Sequence, residues 1–563
     1  MASLSSLLSV SPYSGCKIQP SVIPLNKRRS VNNYVSCKAS NNGEDSVNKF
    51  DRRDMLFGLG NLYGVATLSG KDIALADDWS LSPDVHNCKP VKPSAVGKKM
   101  DCCPPKIKEI IEFTPPVVPT PRVRPAVHLM TPDQIADLEK GIQMMKMLPE
   151  DDPRSFAHQA KVHCAYCDDA YKQMDSTMDF QVHENALFFP FHRAYLYFFE
   201  RILCHLLEKP DFAIPFWNWD APPGMCMPKI YTKPSSSLYD ENRDKCHQPP
   251  KLLNLNYGGK EVKDPEIVDF NLRWMNDQMS VETAKEFLGK VIKRGNGPEN
   301  GSGSIETSPH NNIHIWVGDP EATIHGEDMG HFYSAGRDPL FYAHHANVDR
   351  MWNIWQKMKD RPRDHTDMDW LNSSFVLYDE NRKAVRIKVS QCLDSKILGY
   401  VYQDVPIPWK DTPPIRRPKQ ERSLGNLPPT IDFPQILSSD ITTMVDRPEV
   451  ASPEERINKN EVLVLEDVEY DPTLPLHFDV LLNVGDEGED VRAGHIEFVG
   501  TFTNVPHGRT TYHKTSLHFV ITKKIQQLGL EGDKKVAVKI VPNVNGGDRI
   551  KIGGIKIQLE DIE

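Results

Sequence analysis

The 563-residue chain contains no HExxH motif, no two CxxC pairs and no phosphate-loop pattern. These absences exclude a zincin-type protease site, a thiolate zinc site and a P-loop nucleotide site. Ladders of inward carboxylates are missing as well, which argues against a di-iron carboxylate bundle. Basic residues give no excess: 67 Lys and Arg stand against 77 Asp and Glu, a formal charge of −10, so nucleic acid is not an expected partner. The apolar run from Met55 to Leu68 is too short for a membrane span, and no internal repeat is visible.

Acidic residues are also absent from residues 1 to 40, which hold ten serines and five Lys or Arg. That is the composition of an organellar transit peptide. Arg52-Arg53 then precede the Met55–Leu68 run, and Ala74-Leu75-Ala76 supplies a small-residue cleavage site. Together they predict a bipartite leader over residues 1 to 76, for chloroplast import followed by passage into the thylakoid lumen. The mature chain is expected to carry no stable membrane span.

Six histidines fall into two triplets in aromatic-rich surroundings, His163, His183, His192 and His310, His314, His345. Any one alone reads as a core or surface residue. Two triplets read as two metal sites, because paired histidines at turn spacing in apolar segments are hard to explain as packing. His310 and His314 stand one helical turn apart and point to a common place. His183 and His192 stand nine apart, so Pro190 is expected to separate a loop carrying His183 from a helix carrying His192 in its first turn and running to Leu207. Helices are predicted around His163 and His345 too, the latter with Asp338 as N-cap and Pro339 as first residue. Four such helices make a bundle with metal in its core. Neutral imidazole suits copper, zinc, iron and nickel, so ligand type leaves the metal open.

The motifs VHCAYC, HENALFFPFHR, HNNIHIWVG and DPLFYAHHANVDRMW occur in that order, followed by Asp369-Trp370-Leu371 and Tyr400-Val401-Tyr402. From about residue 77 onward the chain thus resembles a plant polyphenol oxidase, of the catechol oxidase and tyrosinase family with a coupled binuclear copper centre. The resemblance implies that His163, His183 and His192 hold one copper and His310, His314 and His345 the other, with dioxygen as co-substrate and small phenols as substrates. His344, beside the third ligand, is taken as a neighbour of the second site. Oxidation of catechols to ortho-quinones is the implied reaction, with ortho-hydroxylation of monophenols where a base stands near the metal.

Further roles rest on the same resemblance. Glu306 and Asn311 would hold a water that deprotonates monophenols; otherwise they are a solvated residue before a helix and an exposed first-turn residue. Phe332 would gate the second copper, or is ordinary core, and Ile315 would line the entrance. Cys167 would form a thioether with His183, or is a free buried thiol. Four cysteines allow three pairings, of which the family pattern implies Cys88–Cys103 and Cys102–Cys164. Disulfides need an oxidising compartment, consistent with the leader. Cys204, Cys226, Cys246 and Cys392 remain unassigned.

The remaining chain exceeds one ordinary core. Residues 77–404 are expected to be the dicopper catalytic domain, 405–448 a proline-rich linker open to an activating protease, and 449–563 a C-terminal shielding domain. Alternating strands starting at Val462, His477, His495, Ser516, Val536 and Ile555 predict an antiparallel β-sandwich there. The fold class is therefore a mainly α-helical bundle followed by a β-sandwich. The family's KFDV signature reads His477-Phe478-Asp479-Val480, a departure at its first position. An oxygen carrier of the haemocyanin kind, or an oxidase for a specialised phenolic scaffold such as a chalcone, is the alternative.

Overall fold

The computed structural model describes residues 81–562, apart from 94–95, 98, 106, 260–264, 298–300, 359–363, 418–427, 450–457, 485–490, 509–511 and 544–546. The predicted leader, residues 1–76, lies outside the described residues. Helices dominate the first part: α1 Pro132–Met147, α2 Phe156–Cys167, α3 Phe188–Leu207, α4 Ile267–Met279, α5 Ala284–Leu288, α6 Asn311–Val317, α7 Leu340–Lys357 and α8 Met368–Asn372. Helix α1 starts as its sequence predicts, with a capping box between Thr131 and Gln134 and with Leu138, Ile142 and Met145 buried. Helix α3 is buried almost all round, so packing rather than amphipathicity defines it.

Two helix starts differ from the sequence expectation. Helix α3 begins at Phe188, two residues before Pro190, so the proline sits inside the first turn and His192 in the second. A first-turn amide has no intrahelical acceptor, and proline is tolerated there. Helix α7 begins at Leu340, one residue beyond Pro339, with the Asp338 carboxylate accepting from the Leu340 amide at 2.7 Å.

Small sheets and ion pairs fix the bundle. Strand β1 (Ile110–Glu112) pairs parallel with β4 (Ala384–Lys388), which pairs antiparallel with β3 (Ser374–Tyr378); β2 (Arg122–Arg124) pairs parallel with β5 (Tyr400–Tyr402). Period-two alternation sends both Tyr400 and Tyr402 hydroxyls to the Asp349 Oδ2, at 2.6 and 2.5 Å. The other oxygen of Asp349 accepts from Arg193 Nε at 2.5 Å, and Arg193 also donates to Asn353. One buried ion pair thereby locks α3, which carries His192, to α7, which carries His345. Disulfides Cys88–Cys103 and Cys102–Cys164 tie the N-terminal segment to α2.

The C-terminal part is two packed antiparallel sheets. One has the order β10 (Phe498–Asn504), β9 (Leu476–Leu482), β12 (Lys535–Pro542), β7 (Ile441–Asp446). The other has β11 (His513–Val520), β8 (Lys459–Tyr470), β13 (Ile550–Ile552) and β6 (Gln435–Ile436), with β14 (Gly554–Asp561) also on β8. Strands β6 and β7 fall inside the span read as linker, and Trp409 in that span is fully buried. Reading the whole proline-rich span as linker hid them: both lie in the proline-free stretch between Pro434 and Pro448, where β7 alternates buried and half-buried residues. The strand read from Ser516 stops at Val520, and Thr522–Leu528 is a helix, α9.

Alternation along β9 positions the whole domain. Phe478, Val480 and Leu482 enter the sandwich core, whereas Leu481 joins the hydrophobic core of the helical part. His477 and Asp479 share that outward face and meet Asn312 and Asn256 of the helical part.

Candidate metal centre

Four helices and one loop bring the predicted histidines together. His163 on α2, His183 on the loop before α3 and His192 on α3 form one buried group with Cys167; His310, His314, His344 and His345 form another, the ligand atoms within each lying within 4.8 Å of one another. The groups face each other: the rings of His192 and His345 stack at 4.1 Å, and those of His183 and His310 at 6.0 Å.

Hydrogen bonds fix the ring tautomers. A carbonyl oxygen only accepts, so the nitrogen beside it carries the proton. His163 Nδ1 donates to the Phe332 carbonyl (3.0 Å), His192 Nδ1 to Phe188 (2.8 Å), His310 Nδ1 to Glu306 (3.2 Å) and His314 Nδ1 to Met329 (2.7 Å). Their Nε2 atoms are left as lone pairs. Those of His163 and His192 are buried without a protein partner, and those of His310 and His314 both lie 3.4 Å from His345 Nε2. One proton on His345 Nε2 cannot serve both lone pairs well; a cation at their meeting point can. Burial holds all six imidazoles below their ordinary pKa, His192 at about 3 and His314 at about 4, so they are neutral, the form that binds metal. The residues fit a pair of metal ions.

His344 is fully buried and stacks on His310 at 5.3 Å, with neither ring nitrogen hydrogen-bonded. As the residue before His345 on α7 it points about 100° away, and it makes no contact with two ligand nitrogens of the kind His345 makes.

Glu306 and Asn311 are both buried, which removes the solvated alternative for them. Glu306 opens a wide turn, Glu306–His310, in which Ser308 is extended, and this brings it beside the ligand helix despite Pro309. Its Oε1 accepts from the Glu184 amide at 2.6 Å, and its Oε2 is buried without a partner. Burial pushes this carboxyl well above its ordinary pKa. Asn311 accepts from His310 Nδ1 through Oδ1 (2.9 Å) and donates through Nδ2 to the Thr503 carbonyl (2.9 Å).

Phe332, expected over the second site, lies instead against the first: its ring stacks on His183 at 4.1 Å, its carbonyl accepts from His163, and His507 of the C-terminal part stacks on it at 5.4 Å. The Phe332 amide donates to the Pro506 carbonyl (3.2 Å). Ile315 is half-buried after His314. Cys167 is buried and outside any disulfide.

Sequence reasoning missed Gln181 and Asn185, which bind the backbone of the His183 loop, and did not foresee that Glu306 also binds it through the Glu184 amide; Glu184 takes a left-handed conformation (φ 62°). It also missed Thr503, Pro506 and His507, which cover the site from far along the chain. Amides in loops and distant strand residues carry no local signal. The stretch entering the Glu306 turn is packed closely: a Cβ at Gly303 would stand 1.9 Å from the Phe287 carbonyl.

Three family models match successive parts of the chain. They are the common central domain of tyrosinase over residues 153–358, the polyphenol oxidase middle domain over 364–415, and the chloroplastic polyphenol oxidase C-terminal domain over 433–559. A latent-form chloroplastic polyphenol oxidase of Prunus armeniaca is 43% identical over 590 residues, covering 99% of this chain and 98% of that one. The chloroplastic (+)-larreatricin hydroxylase of Larrea tridentata is 43% identical over 99% of both chains. The solved structure of latent apple tyrosinase superposes with a TM-score of 0.75 at 43% identity, covering 80% of this chain and all of that one.

Proposed function

From the chain's membership of the polyphenol oxidase family, copper enzymes that oxidise catechols to ortho-quinones with dioxygen, we propose that His163, His183 and His192 hold one copper and His310, His314 and His345 the other. The convergence of the His310, His314 and His345 Nε2 atoms is the observation that carries this reading. Bound there, the copper pair supplies two-electron exchange with dioxygen. What the chain adds is a dry, neutral, rigid cage: tautomers held by backbone carbonyls, and helices locked by Arg193 and Asp349.

Access lies past Phe332 and Ile315. A phenol ring entering there takes the place of His507 on Phe332, an aromatic face that favours flat aromatic substrates. For monophenols a proton must leave first. We assign this to Glu306 through a water held with Asn311; the buried, partnerless Oε2 of Glu306 is where such a water would bind. The larreatricin hydroxylase among the relatives supports phenol hydroxylation. Cys167, within reach of His183, is proposed to form the thioether.

His507 over Phe332, together with the relatives' latent forms, supports a C-terminal domain that closes the site until a cut between Val405 and Pro448 loosens it. The relatives are chloroplastic, and Arg52-Arg53 with Ala74-Leu75-Ala76 support onward passage to the thylakoid lumen. Metal analysis of the purified chain, with a panel of monophenols and diphenols assayed after trimming, tests the reading. Iron or zinc in an active protein without copper overturns it.

A further inference from the structure

Cys167 ends α2, and His183 follows after a long excursion through residues 168–182. Backbone pairing closes the middle of the excursion, with a bridge between Lys172 and Asp179 and the Phe180 amide donating to the Tyr171 carbonyl (3.0 Å). At its base one side chain holds both ends. Gln181 is buried, its Nε2 donates to the Cys167 carbonyl (3.1 Å), and its Oε1 accepts from the amides of Val182 (2.9 Å) and His183 (3.0 Å). A single amide group thus clasps the backbone of both residues that the thioether would join. Asn185 completes the loop by donating to the carbonyls of Gln181 (3.0 Å) and His183 (2.6 Å), both bonds staying within the loop. Phe332 stacks on the His183 ring at 4.1 Å.

We propose that Gln181 is the positioning residue for crosslink formation, closing the loop so that the Cys167 thiol stands against the His183 ring. The inference rests on the thioether reading above. In the step itself the Cys167 S–H and one His183 ring C–H are lost and a C–S bond forms. Two electrons and two protons pass to dioxygen, the oxidant of the established reaction, giving hydrogen peroxide. No group on Gln181 is consumed. Its contribution is geometric: it replaces a flexible loop end, whose closure would be repeated at random, by a fixed near-attack arrangement.

The test follows crosslinking in the full chain. Copper-free wild type, Gln181→Leu, Gln181→Met and Gln181→Glu are given copper in air, sampled over time, alkylated and digested. Mass spectrometry then counts linked peptide, lighter by two hydrogens, against alkylated Cys167. Wild type should link. Gln181→Leu and Gln181→Met should link about 100-fold more slowly while still binding two coppers, since all six histidines remain. Gln181→Glu should recover most of the rate, because a buried neutral carboxylic acid of the same length can make the same three hydrogen bonds. The two apolar variants guard against one failing to fold, which near-ultraviolet circular dichroism reports. Linking at the wild-type rate in a folded apolar variant, or equal slowness in Gln181→Glu, overturns the role of Gln181. Unlinked wild type overturns the thioether reading itself, and the proposal with it.

Discussion

The side-chain amide of Asn311 donates to the backbone carbonyl of Thr503 at 2.9 Å, so the C-terminal sandwich is bonded to the residue that follows His310, a proposed copper ligand. Next to it, Asn312 donates to the Thr503 hydroxyl (3.1 Å), which also meets His477 Nδ1 at 2.8 Å. The shielding domain therefore occupies the group proposed to orient the monophenol water, besides covering Phe332. Trimming should raise the ratio of monophenol to diphenol turnover, as well as both rates, because Asn311 is freed. Rates measured on a matched phenol and catechol before and after cleavage check this. An unchanged ratio would mean that the domain acts by obstruction alone.

Glu306→Gln isolates the proton step. Glutamine keeps an acceptor for the Glu184 amide, so the His183 loop stays tied while the base is lost. Monophenol turnover should fall by about 100- to 10,000-fold, with diphenol turnover far less affected. Glu306→Ala should damage both, since it also frees the loop, and its copper content should drop. Equal losses in Glu306→Gln would assign the residue to loop support only.

Breaking the Asp349 hub should unlock both ligand triads. Asp349→Ala leaves the Arg193 charge without its carboxylate partner and the Tyr400 and Tyr402 hydroxyls without their acceptor, while Arg193 still donates to Asn353 and the Cys392 carbonyl. A cost of about 3–5 kcal/mol is expected, read as a lower urea midpoint of the copper-free chain, together with weaker retention of copper. A variant as stable as wild type would show that the network is replaceable.

An acid-sensitive contact joins the two parts of the molecule. Glu560 of β14 pairs with Lys285 of α5 (3.0 Å) and with His518 (3.0 Å). Although burial acts upward, hydrogen bonds from Gln558, Lys285 and His518 and the Lys285 charge hold its carboxyl down to about 2. A carboxylate with a depressed pKa contributes its full stability above the ordinary range near 4.5, and loses it as pH falls toward 2. The radius of gyration of the latent chain should rise across that window, and Lys285→Met should move the rise to higher pH. A flat profile in both would place the holding force elsewhere, for instance in the Lys524–Asp277 pair.

Much of this was legible in the sequence because the chemistry is local there. His310 and His314 announce themselves by turn spacing, and the β9 strand by alternation. Helix starts shifted by one or two residues, since Pro190 and Pro339 each suit more than one first-turn position. Gln181, Asn185 and Thr503 were not legible. Each acts on backbone far away in sequence, and an amide or hydroxyl in a loop looks the same whether it faces water or a ligand loop. Strands β6 and β7 were hidden because the span around them was read as one linker, although both lie between Pro434 and Pro448, and the contact of His507 with Phe332 exists only once two separately patterned domains are docked.

Two of the family's chemistries share six histidines, and turnover divides them. The most direct test of the central claim is dioxygen uptake by the copper-loaded, trimmed chain during steady oxidation of a catechol. The account predicts continuous quinone formation with one dioxygen consumed for every two catechols, since each catechol yields two electrons and dioxygen takes four to become water. Uptake that stops at one dioxygen per copper pair, reverses on removing oxygen and yields no quinone would contradict it, and would make the protein a carrier.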